Sequence, residues 1–203
     1  ESRGLGDVYK RQERAVVLTA GVDIQSDRIE VMIVAYGANN ESWVLTYQKI
    51  IGDSASDTPW RDLTDLMLVR LPHPTGRMLG IEAVACDSGY HTQRVYDWSN
   101  RNFVIGRRWY AIKGVAGEGR TAWEQSKVRI KGGAKLYNVG VDTLKSEIYS
   151  QLGNRIPGAD FIHFPDREPF TMEFFEGLTC ERVRTVLDAV SYTHLRAHET
   201  PEH

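Results

Sequence analysis

The stretch Ala20-Gly21-Val22-Asp23-Ile24-Gln25-Ser26-Asp27-Arg28 decides the fold, because it joins the apolar run Ala15-Val16-Val17-Leu18 to the alternating run Ile29-Glu30-Val31-Met32-Ile33-Val34. A buried strand that ends in Gly-x-Asp and turns at once into a second strand sets a carboxylate on the rim of a sheet, within reach of a divalent cation. Asp23 is therefore the first candidate for a functional residue. The plain alternative is a turn aspartate of a hairpin, since short polar turns between strands favour Asp and Ser. What weighs against that alternative is a second carboxylate in a matching setting, Asp87.

Outward from this stretch, residues 15–23, 28–36 and 43–51 read as three strands. The turns at 25–27 and 37–40 are short, so the three should form an antiparallel meander. Pro59 sits where a first helical residue belongs, and Trp60, Leu63, Leu66 and Met67 recur at helical spacing, with His73-Pro74 as the expected stop. Leu79 to Cys86 is a fourth strand, apolar enough to lie centrally with both faces covered, and it ends at Asp87-Ser88-Gly89. A helix from about His91-Thr92 packs through Val95, Tyr96 and Trp98. Arg108 to Ile112 is a fifth strand, closing in Lys113-Gly114. Residues 114–133 read as a mobile cationic loop with a short strand at 127–130. Lys135 to Val139 is extended, Asp142 caps a helix carrying Leu144, Ile148 and Leu152, Phe161 to Phe164 is a short strand, and Phe170, Phe174 and Leu178 mark a last helical piece.

A strand, a crossover helix and a parallel strand form the favoured right-handed unit, so the fourth strand should lie parallel to the first and beside it. Two neighbouring parallel strands that both end in Asp bring Asp23 and Asp87 to the same rim. The fold class that follows is α/β, a mixed sheet in which an antiparallel three-strand meander is followed by parallel strands and flanking helices.

Composition sets the bounds. A chain of 203 residues with 41% hydrophobic residues can bury one sizeable core, and a formal charge of −2 gives no bulk electrostatic case for nucleic acid, so such binding needs a local basic face. Cys86 and Cys180 do not form a disulfide framework and fit a reducing compartment. No apolar run approaches the roughly 20 residues of a membrane helix, and no leader is expected before the first strand.

Both ends read as foreign to the fold. Residues 190–203 hold three of the six histidines without strand or helix periodicity and resemble a translated sequencing adapter, as do residues 1–12, which leaves 13–189 as the domain. His194 and His198 have zinc-helix spacing, but Leu195 stands where such a site needs Glu, and neither they nor His203 are read as ligands.

Five ordered blocks carry a specific resemblance: residues 21–28, Cys86-Asp87-Ser88-Gly89-Tyr90-His91-Thr92, Ala111-Ile112-Lys113-Gly114, Val139-Gly140-Val141-Asp142-Thr143-Leu144-Lys145, and His163-Phe164-Pro165. Together they resemble the nuclease domain of the lambda-type phage terminase large subunit. The resemblance implies a ribonuclease-H-like fold that cuts double-stranded DNA during genome packaging with two Mg2+ or Mn2+ ions. It further implies, in the full-length protein, an N-terminal packaging ATPase domain, a small terminase subunit and a capsid portal as partners, and a place in the host cytoplasm.

Phosphodiester hydrolysis needs an activated water and a stabilised leaving alkoxide, which two carboxylate-held cations supply. Asp23 is the expected bridging ligand and Asp87 a second. The family pattern adds a third acidic residue from a C-terminal helix downstream of the block that Leu178-Thr179-Cys180-Glu181-Arg182 resembles. Asp188 follows that block too closely to fill the role, so activity of this chain is in doubt. Lys113 could meet the scissile phosphate, with a solvated lysine as the alternative. Lys127, Arg129, Lys131 and Lys135 could contact the DNA backbone, against the reading of a wet loop. His91 and His163 are read as structural, and Asp27 as a turn cap or a partner of Arg28. Gly114 to Thr121 has the glycine spacing of a P-loop, but no helical stripe follows it. A non-catalytic DNA-guiding or portal-docking module remains the alternative function. An actin-like ATPase fold lacks its second phosphate loop.

Overall fold

The computed structural model describes residues 14–180 and, as backbone, the strands Arg182–Leu187 and Tyr192–Ala197. The opening meander consists of β1 (Val17–Ile24), β2 (Arg28–Tyr36) and β3 (Ser42–Ile51), paired antiparallel with Gly21 opposite Met32 and Met32 opposite Tyr47. Alternation explains it. In β1 and β2 every second residue is buried, namely Leu18, Ala20, Val22 and Ile24 on one strand and Ile29, Val31, Ile33 and Ala35 on the other, so one face goes to the core and the other stays half open.

After α1 (Thr58–Met67), β4 (Arg70–Pro72) and β5 (Met78–Asp87), the chain runs through α2 (Thr92–Phe103), β6 (Arg108–Val115), β7 (Trp123–Arg129), β8 (Lys135–Gly140), α3 (Val141–Leu152), β9 (Ile162–His163) and α4 (Met172–Thr179). Strand order in the main sheet is β7-β8-β6-β5-β1-β2-β3-β9, with β4 added to β5. β5 lies parallel to and beside β1, β6 is parallel to β5, and β8 is parallel to β6. This mixed sheet, with its meander, its parallel extension and its helices, is the α/β arrangement that the strand pattern predicts, and it is ribonuclease-H-like, as the family resemblance implies.

Helices α1 and α2 cover the core face. Trp60, Leu63 and Met67 from α1 and Val95 and Trp98 from α2 join the strand residues in one cluster. Trp98 is its centre: its ring stacks on Trp109 at 5.0 Å, and its Nε1 donates to Thr64 Oγ1 at 3.0 Å. Over β3 the other face is covered by Phe164, Phe170, Phe174 and Phe175, with Phe174 5.8 Å from the Tyr47 ring.

Several local expectations are corrected. Helix α1 ends at Met67, and His73-Pro74 belongs instead to the turn of a β4–β5 hairpin, closed by His73 N–H donating to Arg77 O at 2.7 Å with Gly76 at φ +81°. A three-residue strand is too short to show periodicity, which is why it went unread. β5 is central, but only Val84 and Cys86 along it are buried, because α1 and α2 cover one face alone. The region read as a mobile loop contains β7 from Trp123 onward, its alternation obscured by a bulge between Gln125 and Arg129. Gly140, not Asp142, is the N-cap of α3; Asp142 lies in the first turn and accepts the Gly117 N–H at 2.7 Å. Residues 192–197, expected to lack regular structure, form a strand paired with 182–187; a backbone ladder needs no apolar alternation. Residues 1–12, the histidine side chains of the C-terminal stretch and Asp188 lie outside the described residues.

Replacing Trp98 by Ala removes a buried ring that stacks on Trp109 and packs at a tilt against Trp60, and should cost about 3–5 kcal/mol of stability, read as a lowered urea midpoint by tryptophan emission and circular dichroism.

Candidate functional site

The printed β1–β5 register ends at Val22 opposite Cys86, so Asp23 and Asp87 are the next residues on adjacent parallel strands, roughly 4.8 Å apart at the backbone. Both alternate onto the half-open face, since Val22 and Cys86 point into the core. Asp23 and Asp87 are thus brought together, as their strand positions predict.

Each carboxylate is held by its own turn. Gln25 Nε2 donates to Asp23 Oδ2 at 2.5 Å, and that turn is anchored from behind by buried Ser54, whose Oγ donates to Gln25 O at 2.6 Å. Trp60 Nε1 in turn donates to Ser54 O at 2.9 Å, and Arg94 ties the 55–57 loop to α2. Asp87 sits in a loop that Ser88 fastens to the end of β6, its Oγ donating to Ile112 O at 2.7 Å. The N–H groups of Gly89 and Ser88 donate to the Asp87 carboxylate. A Cβ at Gly89 would lie 3.0 Å from Asp87 Oδ2, a tight contact, so a larger residue there would press on this carboxylate by a few tenths of an ångström.

Burial raises Asp87 above its ordinary carboxylate range, and the negative charge of Asp23 raises it further, against the Gly89 and Ser88 N–H groups and the Lys113 charge, which lower it. Burial likewise raises the Cys86 thiol beneath them, with both aspartates adding to the shift, so Cys86 is a core residue and not a nucleophile. Lys113 is exposed and alternates away from Ile112, yet its charge reaches Asp87.

Glu30, which sequence reasoning did not single out, stands opposite Asp23 on β2. Its desolvation is outweighed by the Tyr47 hydroxyl donating to Oε2 at 2.5 Å and by Arg28 Nε donating to Oε1 at 2.7 Å, so it is held ionised below its usual range. The signal was its place in the register opposite Asp23, visible once the hairpin is aligned. With both oxygens engaged, Glu30 borders the aspartate pair without opening toward it.

Lys127 and Arg129 on β7, Lys131 in the turn after it and Lys135 on β8 are all exposed. Lys127, Arg129 and Lys135 line a cleft of about 620 Å³, two to three strands from β5, so they flank the carboxylates without joining them. His163 is structural: it stacks on Trp43 at 5.1 Å and bonds Glu41 Oε1 at 2.9 Å. His91 precedes α2 in a left-handed conformation with its ring against Tyr90. Asp27 pairs with Arg28 at 2.8 Å. The glycine run after Gly114 leads into strand β7, not a helix, which removes the anion site a P-loop needs.

Two half-exposed carboxylates suit one hard divalent cation whose remaining positions are filled by water and phosphate oxygen. Among the described residues no third His, Cys, Asp or Glu joins them in a metal-binding group. The arrangement therefore fits one Mg2+ or Mn2+ ion through Asp23 and Asp87, and among the described residues no further carboxylate opens toward it for a second.

The native state holds the Asp87 proton more tightly than the unfolded chain, so this group's contribution to stability is greatest below the carboxylate range and is lost as pH rises through its raised pKa. Asp87→Asn should therefore raise the metal-free Tm at pH 7 by about 1–3 °C and give no gain at pH 3, as checked by thermal melts across that range.

The chain is similar over 177 residues, at 28% identity, to the terminase large subunit of Escherichia phage lambda, a match covering 83% of this chain and 27% of that protein. It is 26% identical over 140 residues to the terminase large subunit of Enterobacteria phage P21, covering 68% of this chain and 22% of the relative. It thus spans about a quarter of the length of these relatives. No solved structure matches it significantly. The family described as terminase large subunit gpA, endonuclease domain, matches residues 11–199, and the chain belongs to that family.

Proposed function

We propose that this chain is a metal-dependent DNA endonuclease domain of a phage DNA-packaging terminase, hydrolysing phosphodiester bonds of double-stranded DNA. The observation that carries this reading is the pairing of Asp23 and Asp87 on one rim, with the Asp23 charge raising the Asp87 pKa. Two like charges on adjacent strands are unfavourable by themselves, and a cation between them converts that repulsion into binding.

Asp23 and Asp87 would hold Mg2+ or Mn2+, which when bound polarises a phosphoryl oxygen and lowers the pKa of an attacking water. Gln25 keeps one Asp23 oxygen in place, and the Gly89 and Ser88 N–H groups orient Asp87. Lys113 meets the scissile phosphate as a point charge. Lys127, Arg129, Lys131 and Lys135 hold the flanking backbone. The family resemblance implies a second ion and a third acidic ligand; among the described residues no such ligand joins Asp23 and Asp87, so a second ion would be held weakly here. The domain is read as residues 13–189 with adapter-like residues at either end, while the family match itself runs over 11–199. In the full-length protein it works in the host cytoplasm beside a packaging ATPase domain, the small terminase subunit and the portal. Among the described residues no helix is long and apolar enough to cross a membrane.

A non-catalytic DNA-guiding or portal-docking module is the second reading, favoured by the lack of a third carboxylate near the pair among the described residues. Nicking of supercoiled plasmid decides between them. The endonuclease should nick with Mn2+ and not with EDTA, and Asp23→Ala should lower the rate about 100-fold or more while leaving metal-free DNA affinity within a few-fold. Salt-sensitive binding with no nicking at any Mn2+ concentration would instead support the docking module.

A further inference from the structure

On the face that carries Asp87, three aromatic rings sit together with no packing role in the core. Tyr137 stacks against Trp123 at 4.7 Å with planes 27° apart, and Tyr110 packs edge-on to both, 5.1 Å from Tyr137 and 6.0 Å from Trp123. Trp123 is 43% exposed and lies on an edge strand. None of the three belongs to the buried cluster.

Register fixes where they lie. Asp87 is opposite Ile112, which is opposite Tyr137, while Tyr110 is opposite Ala85, two residues back from Asp87 along the same face. β8 is two strand spacings from β5, roughly 9.6 Å. At roughly 3.4 Å per stacked nucleotide, a base resting on Tyr137 and Trp123 belongs to a nucleotide about three positions from a phosphate at the aspartate pair. Charge complements the rings: Arg129 and Lys135 are exposed and face each other across β7 and β8, where alternation sets Lys135 on the side of Tyr137. An aromatic cluster on a sheet with Trp123 exposed and Tyr110 and Tyr137 half-buried behind it, bordered by cations that can follow a phosphate backbone, is a combination suited to single-stranded nucleic acid held without reading its sequence.

We infer that Tyr110, Tyr137 and Trp123 form a stacking platform for an unpaired base of the DNA strand being cut, about three nucleotides from the scissile phosphate. The platform rests on the nuclease reading for its position relative to the cut, and on its own geometry for the binding. It makes frayed or locally melted DNA the preferred substrate, because a base inside a duplex cannot offer its face to Trp123.

The test uses the full chain in EDTA, so neither metal nor cleavage enters. A single-stranded oligonucleotide carrying 2-aminopurine is titrated beside a fully paired duplex of the same length. The expected result is quenching of 2-aminopurine on binding, with Trp123→Ala weakening single-strand affinity about 5- to 100-fold. Trp123→Phe should restore most of the loss, duplex affinity should change less than about two-fold, and Arg129→Ala should reduce the salt slope by about one. Unchanged single-strand affinity in Trp123→Ala overturns the platform, as does an equal loss on both DNAs. If the alanine variant fails to fold, the parent's own emission decides. Quenching by an unlabelled single strand that is missing in Trp123→Phe supports the platform, and emission indifferent to single strands overturns it and gives the face to a protein element. Plasmid nicking in Mn2+ is scored separately. Intact stacking without nicking sinks the nuclease reading alone, and nicking without stacking sinks the platform alone.

Discussion

The parallel pairing of β1 with β5 is the constraint on which the rest depends. The two strands are separated in sequence by a meander, a helix and a hairpin, yet the pairing puts their last residues side by side. Without it Asp23 would be a hairpin-turn residue and Asp87 a loop residue. With it, two carboxylates share one rim on a half-covered face. The pairing survives their mutual repulsion because Leu18, Ala20, Val22, Val84 and Cys86 on the opposite side of the same strands are sealed under α1 and α2. Burial of that apolar area is worth far more than the cost of two partly solvated like charges.

Behind the two carboxylates the fold places rigid supports. One hydrogen-bonded chain runs from the Trp60 indole through Ser54 and Gln25 to Asp23, so a residue of the core indirectly sets the orientation of a carboxylate on the rim. Ser88 does the same for Asp87 by fastening its loop to β6. Neighbouring Glu30 is held by Tyr47 and Arg28 and stays ionised. The rim is thus a row of negative groups with fixed positions, bordered at some distance by the cations of β7 and β8. A divalent ion and a phosphate backbone are the partners such a surface attracts.

Much of this was legible before any coordinates. The apolar run at 15–18 and the alternating run at 29–34, joined by a short polar turn, made the hairpin plain, Pro59 marked the start of α1 within one residue, and the right-handed crossover rule put the fourth strand parallel to the first. What sequence reading missed has local causes. β4 is three residues long, β7 is bulged, and the Asp142 carboxylate turns toward the Gly117 N–H instead of capping its own helix. Glu30 escaped notice because on β2 it reads as an ordinary outward residue of an alternating strand. The aromatic trio was invisible for the same reason, since Tyr110, Trp123 and Tyr137 lie on three strands whose adjacency no local pattern encodes.

The amino-acid sequence by itself determined the opening hairpin, the apolar stripes of α1 and α2, and the two strands that end in Asp beside Gly and Ser, because these follow from periodicity and turn chemistry within a few residues. Only the tertiary structure decided which neighbours those aspartates have. The raised pKa of Asp87, the engaged oxygens of Glu30 and the meeting of three aromatic rings all arise from contacts across strands. Desolvation and charge coupling depend on distances between residues far apart along the chain, and those distances exist only once the sheet has closed.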